Sequence, residues 1–265
     1  TVTINGSAPA SSYTAGTYTV QVTDANGCTK TSIVTIAPAP SAVVLVSNAT
    51  QPLCSGQTGS ISFTTSGGTG TINVTSNGNA VTSPMTSLSA GNYTLVATDG
   101  NGCSTSTIIT INTSPTALVL TVNATQPLCS NQFGTVTFTT SGGTGTKVVT
   151  NGSAAVTSPV IGLVGGTYTF TSTDANGCSI SQIVTINPIP APIVLTINVA
   201  QPACFGNKGT VTFFATGGTG TISIKLGALP VTSPLNNWNP GTYSLTATDA
   251  NGCTKSQTFV VNAAP

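Results

Sequence analysis

The sequence predicts an all-β chain, and three observations carry that prediction. Short runs alternate apolar and polar residues, turn residues separate them at intervals of about 8–12 positions, and no segment has helical periodicity. In one stretch Val43, Leu45 and Ser47 alternate with polar or small neighbours, then Ile61 and Phe63 with Ser62 and Thr64. Ile72 and Val74 follow, then Tyr93, Leu95 and Ala97, then Ile109 and Ile111. Ser66-Gly67-Gly68, Asn77-Gly78, Ser83-Pro84, Ala90-Gly91 and Asn101-Gly102 supply the turns between them. Short strands punctuated in this way indicate an immunoglobulin-like β-sandwich.

The cysteines show that the sandwich is repeated. Cys28, Cys54, Cys103, Cys129, Cys178, Cys204 and Cys253 are spaced alternately by 26 and 49 residues, a 75-residue period. Gln51-Pro52-Leu53-Cys54 recurs at Gln126 and, with Ala203, at Gln201. Gly67-Gly68-Thr69-Gly70 recurs at Gly142 and Gly217. Tandem modules are therefore expected at residues 42–113, 117–188 and 192–263, with the C-terminal part of another at 1–38. The chain reads as a piece of a longer array. Its junctions carry proline, as in Ala37-Pro38-Ala39-Pro40, Thr113-Ser114-Pro115 and Asn187-Pro188-Ile189-Pro190-Ala191-Pro192. Such junctions act as semi-rigid spacers, so a long array would be a rod or fibre.

Composition narrows the function. Only five Lys and four Asp are charged among 265 residues; His, Arg and Glu are absent. General acid–base catalysis and metal catalysis draw on the groups that are missing, so no catalytic residue, metal site or cofactor is expected. A formal net charge of +1 without a basic cluster disfavours nucleic acid. No apolar run reaches the ~18–20 residues of a membrane helix. Thr1-Val2-Thr3-Ile4 lacks the features of a signal peptide, so any export signal is removed or lies elsewhere. Near-neutral charge favours association, so self-association and contact between neighbouring modules are the expected partnerships.

Within the repeat, Tyr18, Tyr93, Tyr168 and Tyr243 open the penultimate strand, each after a small residue–Gly pair or Pro-Gly, a pattern that suggests a tyrosine corner. All four acids, Asp24, Asp99, Asp174 and Asp249, occupy one position in Asp-x-Asn-Gly-Cys. As a hairpin turn, this block uses Asp to bond its own backbone and Gly to supply positive φ. A calcium loop would require several carboxylates, and each repeat has one. Trp238 stands where other repeats have Leu88 and Leu163; a larger core plug is preferred over a sugar-stacking platform.

A 75-residue module gains from a covalent staple, and a 49-residue loop closed by a disulfide contributes about 4 kcal/mol. Two pairings fit the spacing: Cys54–Cys103 within a repeat, or Cys103–Cys129 across a junction. The within-repeat set (Cys54–Cys103, Cys129–Cys178, Cys204–Cys253, with Cys28 unpaired) is preferred. It requires both cysteines at one end of the sandwich, which six strands would allow and seven would not. Paired cysteines argue for an extracellular setting. Sequons at Asn48, Asn73, Asn92, Asn123 and Asn151, with Asn5 and Asn112, are candidate glycan acceptors.

The pattern Cys-x-Gly, Gly-Gly-Thr-Gly, Leu-x-x-Gly-x-Tyr-Thr and Asp-x-Asn-Gly-Cys resembles the SprB-type repeats of Bacteroidota cell-surface proteins, over residues 54–103, 129–178 and 204–253. The resemblance implies large secreted adhesins, exported by the type IX system and used in gliding or attachment. This sequence departs from the pattern in its scarcity of charge and in carrying Ile72 or Lys147 after the Gly-Gly turn. The expected role is structural: an extracellular filament or adhesin stalk at a bacterial surface. The alternative is a ligand-binding adhesin that recognises glycans or surfaces through loops such as Asn236-Asn237-Trp238-Asn239. Ice binding by outward Thr rows ranks below both.

Overall fold

The computed structural model describes residues Thr1–Pro265 and consists of strands, turns and bends without a helix. It divides into two compact units, Thr1–Pro115 and Thr116–Pro265.

The first unit opens on one antiparallel sheet of β1 (Val2–Ile4), β2 (Gly16–Thr23) and β3 (Thr29–Ile36). A complete sandwich follows: β4 (Val44–Thr50), β5 (Gly59–Ser66), β6 (Asn73–Ser76), β7 (Asn79–Ala80), β8 (Met85–Leu88), β9 (Gly91–Thr98) and β10 (Ser104–Ile111). Its sheets have the orders β4-β5-β8 and β10-β9-β6-β7.

The second unit contains this sandwich twice. The first copy comprises β11 (Val119–Thr125), β12 (Gly134–Ser141), β13 (Val148–Asn151), β14 (Ala154–Ala155), β15 (Val160–Leu163), β16 (Gly166–Thr173) and β17 (Ser179–Ile186). The second comprises β18 (Val194–Ala200), β19 (Gly209–Thr216), β20 (Ser223–Leu226), β21 (Leu229–Pro230), β22 (Leu235–Trp238), β23 (Gly241–Thr248) and β24 (Thr254–Val261). Tandem β-sandwich modules on a 75-residue period are thus the architecture.

Alternation explains how each sandwich closes. Along β19, Val211 and Phe213 point inward while Thr212 and Phe214 face out; along β23, Leu245 and Ala247 are fully buried. Both sheets feed one core, with Leu195, Val211 and Phe213 meeting Leu245, Phe259 and Val261. Each such side chain contributes about 1.5–3 kcal/mol on burial. The first strand of each module packs against its last: β4 against β10, β11 against β17, β18 against β24.

The two short strands in the middle of the module gave no clear periodic signal, and β8 lies just beyond the turn expected at Ser83-Pro84. Pairing of β5 with β8 breaks register between Gly59 and Ile61. The Phe63 N–H is instead taken by Ser83 Oγ at 2.9 Å. Ser158 and Ser233 do the same for Phe138 and Phe213, each at 3.0 Å. A buried sheet cannot leave an N–H unpaired, which gives the repeated Ser-Pro a structural role.

One buried hydroxyl lacks such a partner. Ser172 Oγ is enclosed without a hydrogen bond, where the other complete modules have Ala97 and Ala247. Ser172→Ala is therefore expected to stabilise the second unit by about 1 kcal/mol, read as a higher urea midpoint at unchanged m-value.

The strand count overturns the preferred disulfide pairing. Each module has seven strands, and five of them, β5 to β9, separate the Cys54 loop from the Cys103 hairpin. An odd number places the two cysteines at opposite ends. Gln51, beside Cys54, bonds Thr110 at the end of β10, whereas Cys103 precedes the start of that strand. An eight-residue strand, about 25 Å long, lies between them. Cys103 and Cys204 accordingly remain free thiols, and Cys129 bonds Cys253. None of Cys54–Cys103, Cys129–Cys178, Cys204–Cys253 or the junction alternative Cys103–Cys129 forms.

Candidate functional site

The repeated motifs of the sequence converge on the ends of the modules, and in the second unit they meet at one junction. Its upper half is a hairpin. Asp249 N donates to Cys253 O at 3.0 Å and Gly252 N to Asp249 O at 3.1 Å. Gly252 has φ +85°. This is a three-residue hairpin loop whose last residue must be left-handed, which glycine allows.

The aspartate does more than cap that turn. Asp249 Oδ1 accepts from Asn251 N at 3.0 Å and Cys253 N at 2.9 Å. Its Oδ2 accepts from Thr219 N at 2.8 Å, in the Gly-Gly-Thr-Gly loop. The carboxylate thus ties together two connections that are 30 residues apart in the sequence. Asp174 and Asp99 make the same three bonds, through Thr144 and Thr69. Asp24 bonds Asn26 N and Cys28 N, each at 2.9 Å.

These bonds fix the charge state. Burial would raise the pKa of Asp99 and Asp249, but the backbone N–H groups outweigh it and lower both. Asp174 is lowered chiefly by the Thr144 N–H, against burial, with the Lys147 charge assisting. A carboxyl with a lowered folded-state pKa contributes stability above its unfolded pKa, about 3.9, and loses it as pH falls through the folded value. The denaturant midpoint is therefore expected to be level from pH 5 upward and to drop below about pH 4. Asp174→Asn should flatten that drop while lowering the midpoint at neutral pH. With no Glu or His in the chain, few other groups titrate there.

The lower half is the cysteine loop after β11. Gln126 Nε2 donates to Thr185 O at 2.9 Å, and Gln126 Oε1 accepts from Asn187 N at 2.7 Å. The side chain thereby acts like a strand residue joining the two sheets. Gln132 Oε1 then accepts from Leu128 N at 3.0 Å and Cys129 N at 3.3 Å. These bonds hold Cys129 at the end from which the chain leaves through Pro188 and Pro190.

Cys129 and Cys253 join the halves, with a Cα–Cα distance of 5.6 Å across 124 residues of sequence. Asn251 Nδ2 donates to Leu128 O at 3.3 Å beside the bond. Pro190, Ala191, Ile193 and Gly218 line the adjoining cleft. The disulfide therefore bridges consecutive modules and spans the proline junction between them. A closed loop of that length contributes about 5 kcal/mol by chain entropy. The signal for this pairing was strand parity, which spacing alone did not supply.

The other expected positions are distributed over the modules. Tyr18, Tyr93, Tyr168 and Tyr243 each donate the hydroxyl to the carbonyl four residues upstream: Thr14, Ser89, Val164 and Asn239, at 2.7–3.1 Å. Trp238 is half-buried and meets the Tyr243 ring edge-on at 4.7 Å. Asn48, Asn73, Asn92 and Asn123 are exposed and Asn151 is half-buried. Asn92 Oδ1 also accepts from Thr110 Oγ1 at 2.8 Å. No group of three or more His, Cys, Asp or Glu side chains is placed to hold a metal ion. No helix is long and apolar enough to cross a membrane.

No protein-family profile matches the sequence, and no curated protein matches it. Among solved structures, the chain is similar to the N-terminal eight Ig domains of Down Syndrome Cell Adhesion Molecule at 12% identity and TM-score 0.47. That match covers 95% of this chain and 40% of the other, so the chain spans well under half of it. It is similar to protocadherin gamma B7 cadherin domains 1–4 at 11% identity and TM-score 0.38, covering 94% and 83%. Drosophila OTK extracellular domains 3–5 match at 12% identity and TM-score 0.37, covering 73% and 85%.

Proposed function

We propose that the chain is a stretch of an extracellular structural array of SprB-type repeats, serving as a filament or adhesin stalk at a bacterial surface. The observation that supports this most is the Cys129–Cys253 bridge. A disulfide inside a module would stabilise that module alone; one across a junction fixes modules to each other and carries tension past the linker. Disulfides persist in oxidising compartments, which favours the outside of the cell. On this reading residues 42–113, 117–188 and 192–263 are the building blocks, with 1–38 part of another. The partners are neighbouring modules and further copies of the chain, and exposed sequons such as Asn48 and Asn123 are sites for glycans.

The alternative, a glycan-binding array, needs an open aromatic platform. Trp238 instead is half-buried, in T-shaped contact with Tyr243 and packed against the core cluster, so the structural role is preferred. Immunogold labelling of intact source cells with an antibody to the chain tests the proposal. Label along surface filaments is the expected result; label confined to the cell interior would overturn it.

A further inference from the structure

Asparagine is followed by glycine at seven places in the chain: Asn5, Asn26, Asn77, Asn101, Asn151, Asn176 and Asn251. This dipeptide has a reaction of its own. The glycine backbone nitrogen attacks the asparagine Cγ, closes a five-membered succinimide and expels ammonia; water then opens the ring to aspartate or isoaspartate. Glycine has no side chain to obstruct the attack. Composition makes the seven places equal, but hydrogen bonding divides them.

At five of them the attacking nitrogen is engaged. Gly27, Gly102, Gly177 and Gly252 donate their N–H to the carbonyls of Asp24, Asp99, Asp174 and Asp249 at 3.1–3.3 Å, inside the Asp-x-Asn-Gly-Cys hairpin. Gly152 donates to Thr169 O at 3.3 Å. Asn251 is held a second way, because its Nδ2, the group that must leave, donates to Leu128 O at 3.3 Å.

Asn77 is arranged differently. It is exposed at the tip of the β6–β7 hairpin, with φ +47° at Asn77 and +86° at Gly78, the two left-handed residues of a type I′ turn. The turn's backbone bonds run through its neighbours: Asn77 N donates to Thr94 O at 3.0 Å, and Ser76 pairs with Asn79. The Gly78 N–H has no acceptor. Asn77 Oδ1 accepts from Thr94 N at 3.0 Å, which polarises Cγ and stabilises the negative oxygen that forms there on attack. Asn5-Gly6 repeats this turn, with φ +48° at Asn5 and its Oδ1 on Thr19 N at 2.8 Å.

We propose that Asn77 is a site of spontaneous succinimide chemistry in the folded chain, converting to isoaspartate and aspartate while the asparagines of the Asp-x-Asn-Gly-Cys hairpins stay intact. Hydroxide takes the Gly78 amide proton, the nitrogen bonds Cγ, and the Cγ–Nδ2 bond breaks; Nδ2 picks up a proton from water and leaves as ammonia. Water then adds across one of the two carbonyl–nitrogen bonds of the ring. Opening at Cγ gives aspartate, and opening at the backbone carbonyl gives isoaspartate. One water is consumed, one ammonia is released, and nothing is oxidised or reduced. Each conversion adds one negative charge to a chain of formal net charge +1. Isoaspartate also lengthens the main chain of the turn by one methylene carbon.

The test is to incubate the native chain and a chain unfolded in guanidinium chloride side by side at mildly alkaline pH. Peptide mapping by mass spectrometry and enzymatic methylation of isoaspartyl carboxylates follow each site. All seven sites should convert at similar rates in the unfolded chain. In the folded chain Asn77 and Asn5 should convert at least about tenfold faster than the other five, where a hydrogen bond must break first. Isoelectric focusing should show the matching acidic shift. Asn77→Gly, which suits a positive φ, should remove the product from that turn and leave conversion at Asn5 unchanged. Asn101, Asn176 or Asn251 converting as fast as Asn77 in the folded chain would overturn the proposal. So would Asn77 remaining intact after the unfolded chain has converted, or Asn5 remaining intact beside a converted Asn77, since the two share the turn.

Discussion

Stretching the single chain by its ends is expected to yield a final contour at least about 400 Å longer under reducing than under oxidising conditions. The Cys129–Cys253 bond closes off 124 residues of separation, and an extended chain spans roughly 3.3–3.6 Å per residue. While the bond holds, Cys129 and Cys253 cannot be drawn apart to that length. A thiol reductant opens the bond and lets those residues pay out. Contour length fitted to force–extension curves, with and without dithiothreitol, checks this. Equal contours would mean that tension does not pass through the bond. The functional consequence follows from where the bond sits. β16, β17, β18 and β19 all lie inside the closed loop, so their residues are paid out in full only once the bond is reduced.

Much of this architecture was legible in the sequence because its physics is local. Alternation at Ile61 and Phe63, or at Leu95 and Ala97, assigns strands to faces without knowledge of the partner sheet. Positive φ at Gly102 and Gly252 follows from hairpin geometry alone. The short strands β7 and β8 were not legible, because two to four residues show no period. Their position depends instead on a side chain far away in sequence, as Ser83 on Phe63 shows. The junction was the largest gap. Cysteine spacing counts residues, whereas pairing depends on which end of the sandwich each loop reaches, and that depends on strand number. Asp249 shows the same limit: its turn role was readable, but its bond to Thr219 across 30 residues was not.

Gly217→Ala is expected to destabilise the second unit by about 3 kcal/mol, from left-handed backbone strain plus a collision. Gly217 has φ +80°, and an added Cβ would run into the carbonyl oxygen of Pro192. That oxygen belongs to backbone and cannot swing away, so either the linker shifts or the loop opens. Both outcomes disturb the junction, because the next residue, Gly218, donates its N–H to Ala191 O at 3.0 Å. Thr219 then donates to the carboxylate that shapes the Cys253 hairpin. Gly227→Ala separates the two contributions. Gly227 has φ +59° with nothing within 4 Å of an added Cβ, so it should cost only the backbone part, about 1 kcal/mol. Urea unfolding of both variants measures the difference. If the two cost the same, the contact with Pro192 is not what selects glycine. If Gly217→Ala alone also makes the Cys129–Cys253 bond faster to reduce, the Gly-Gly-Thr-Gly loop is acting on the junction as well as on its own module. The repeat would then place this motif beside each hairpin to hold the cysteine in position for the module before it.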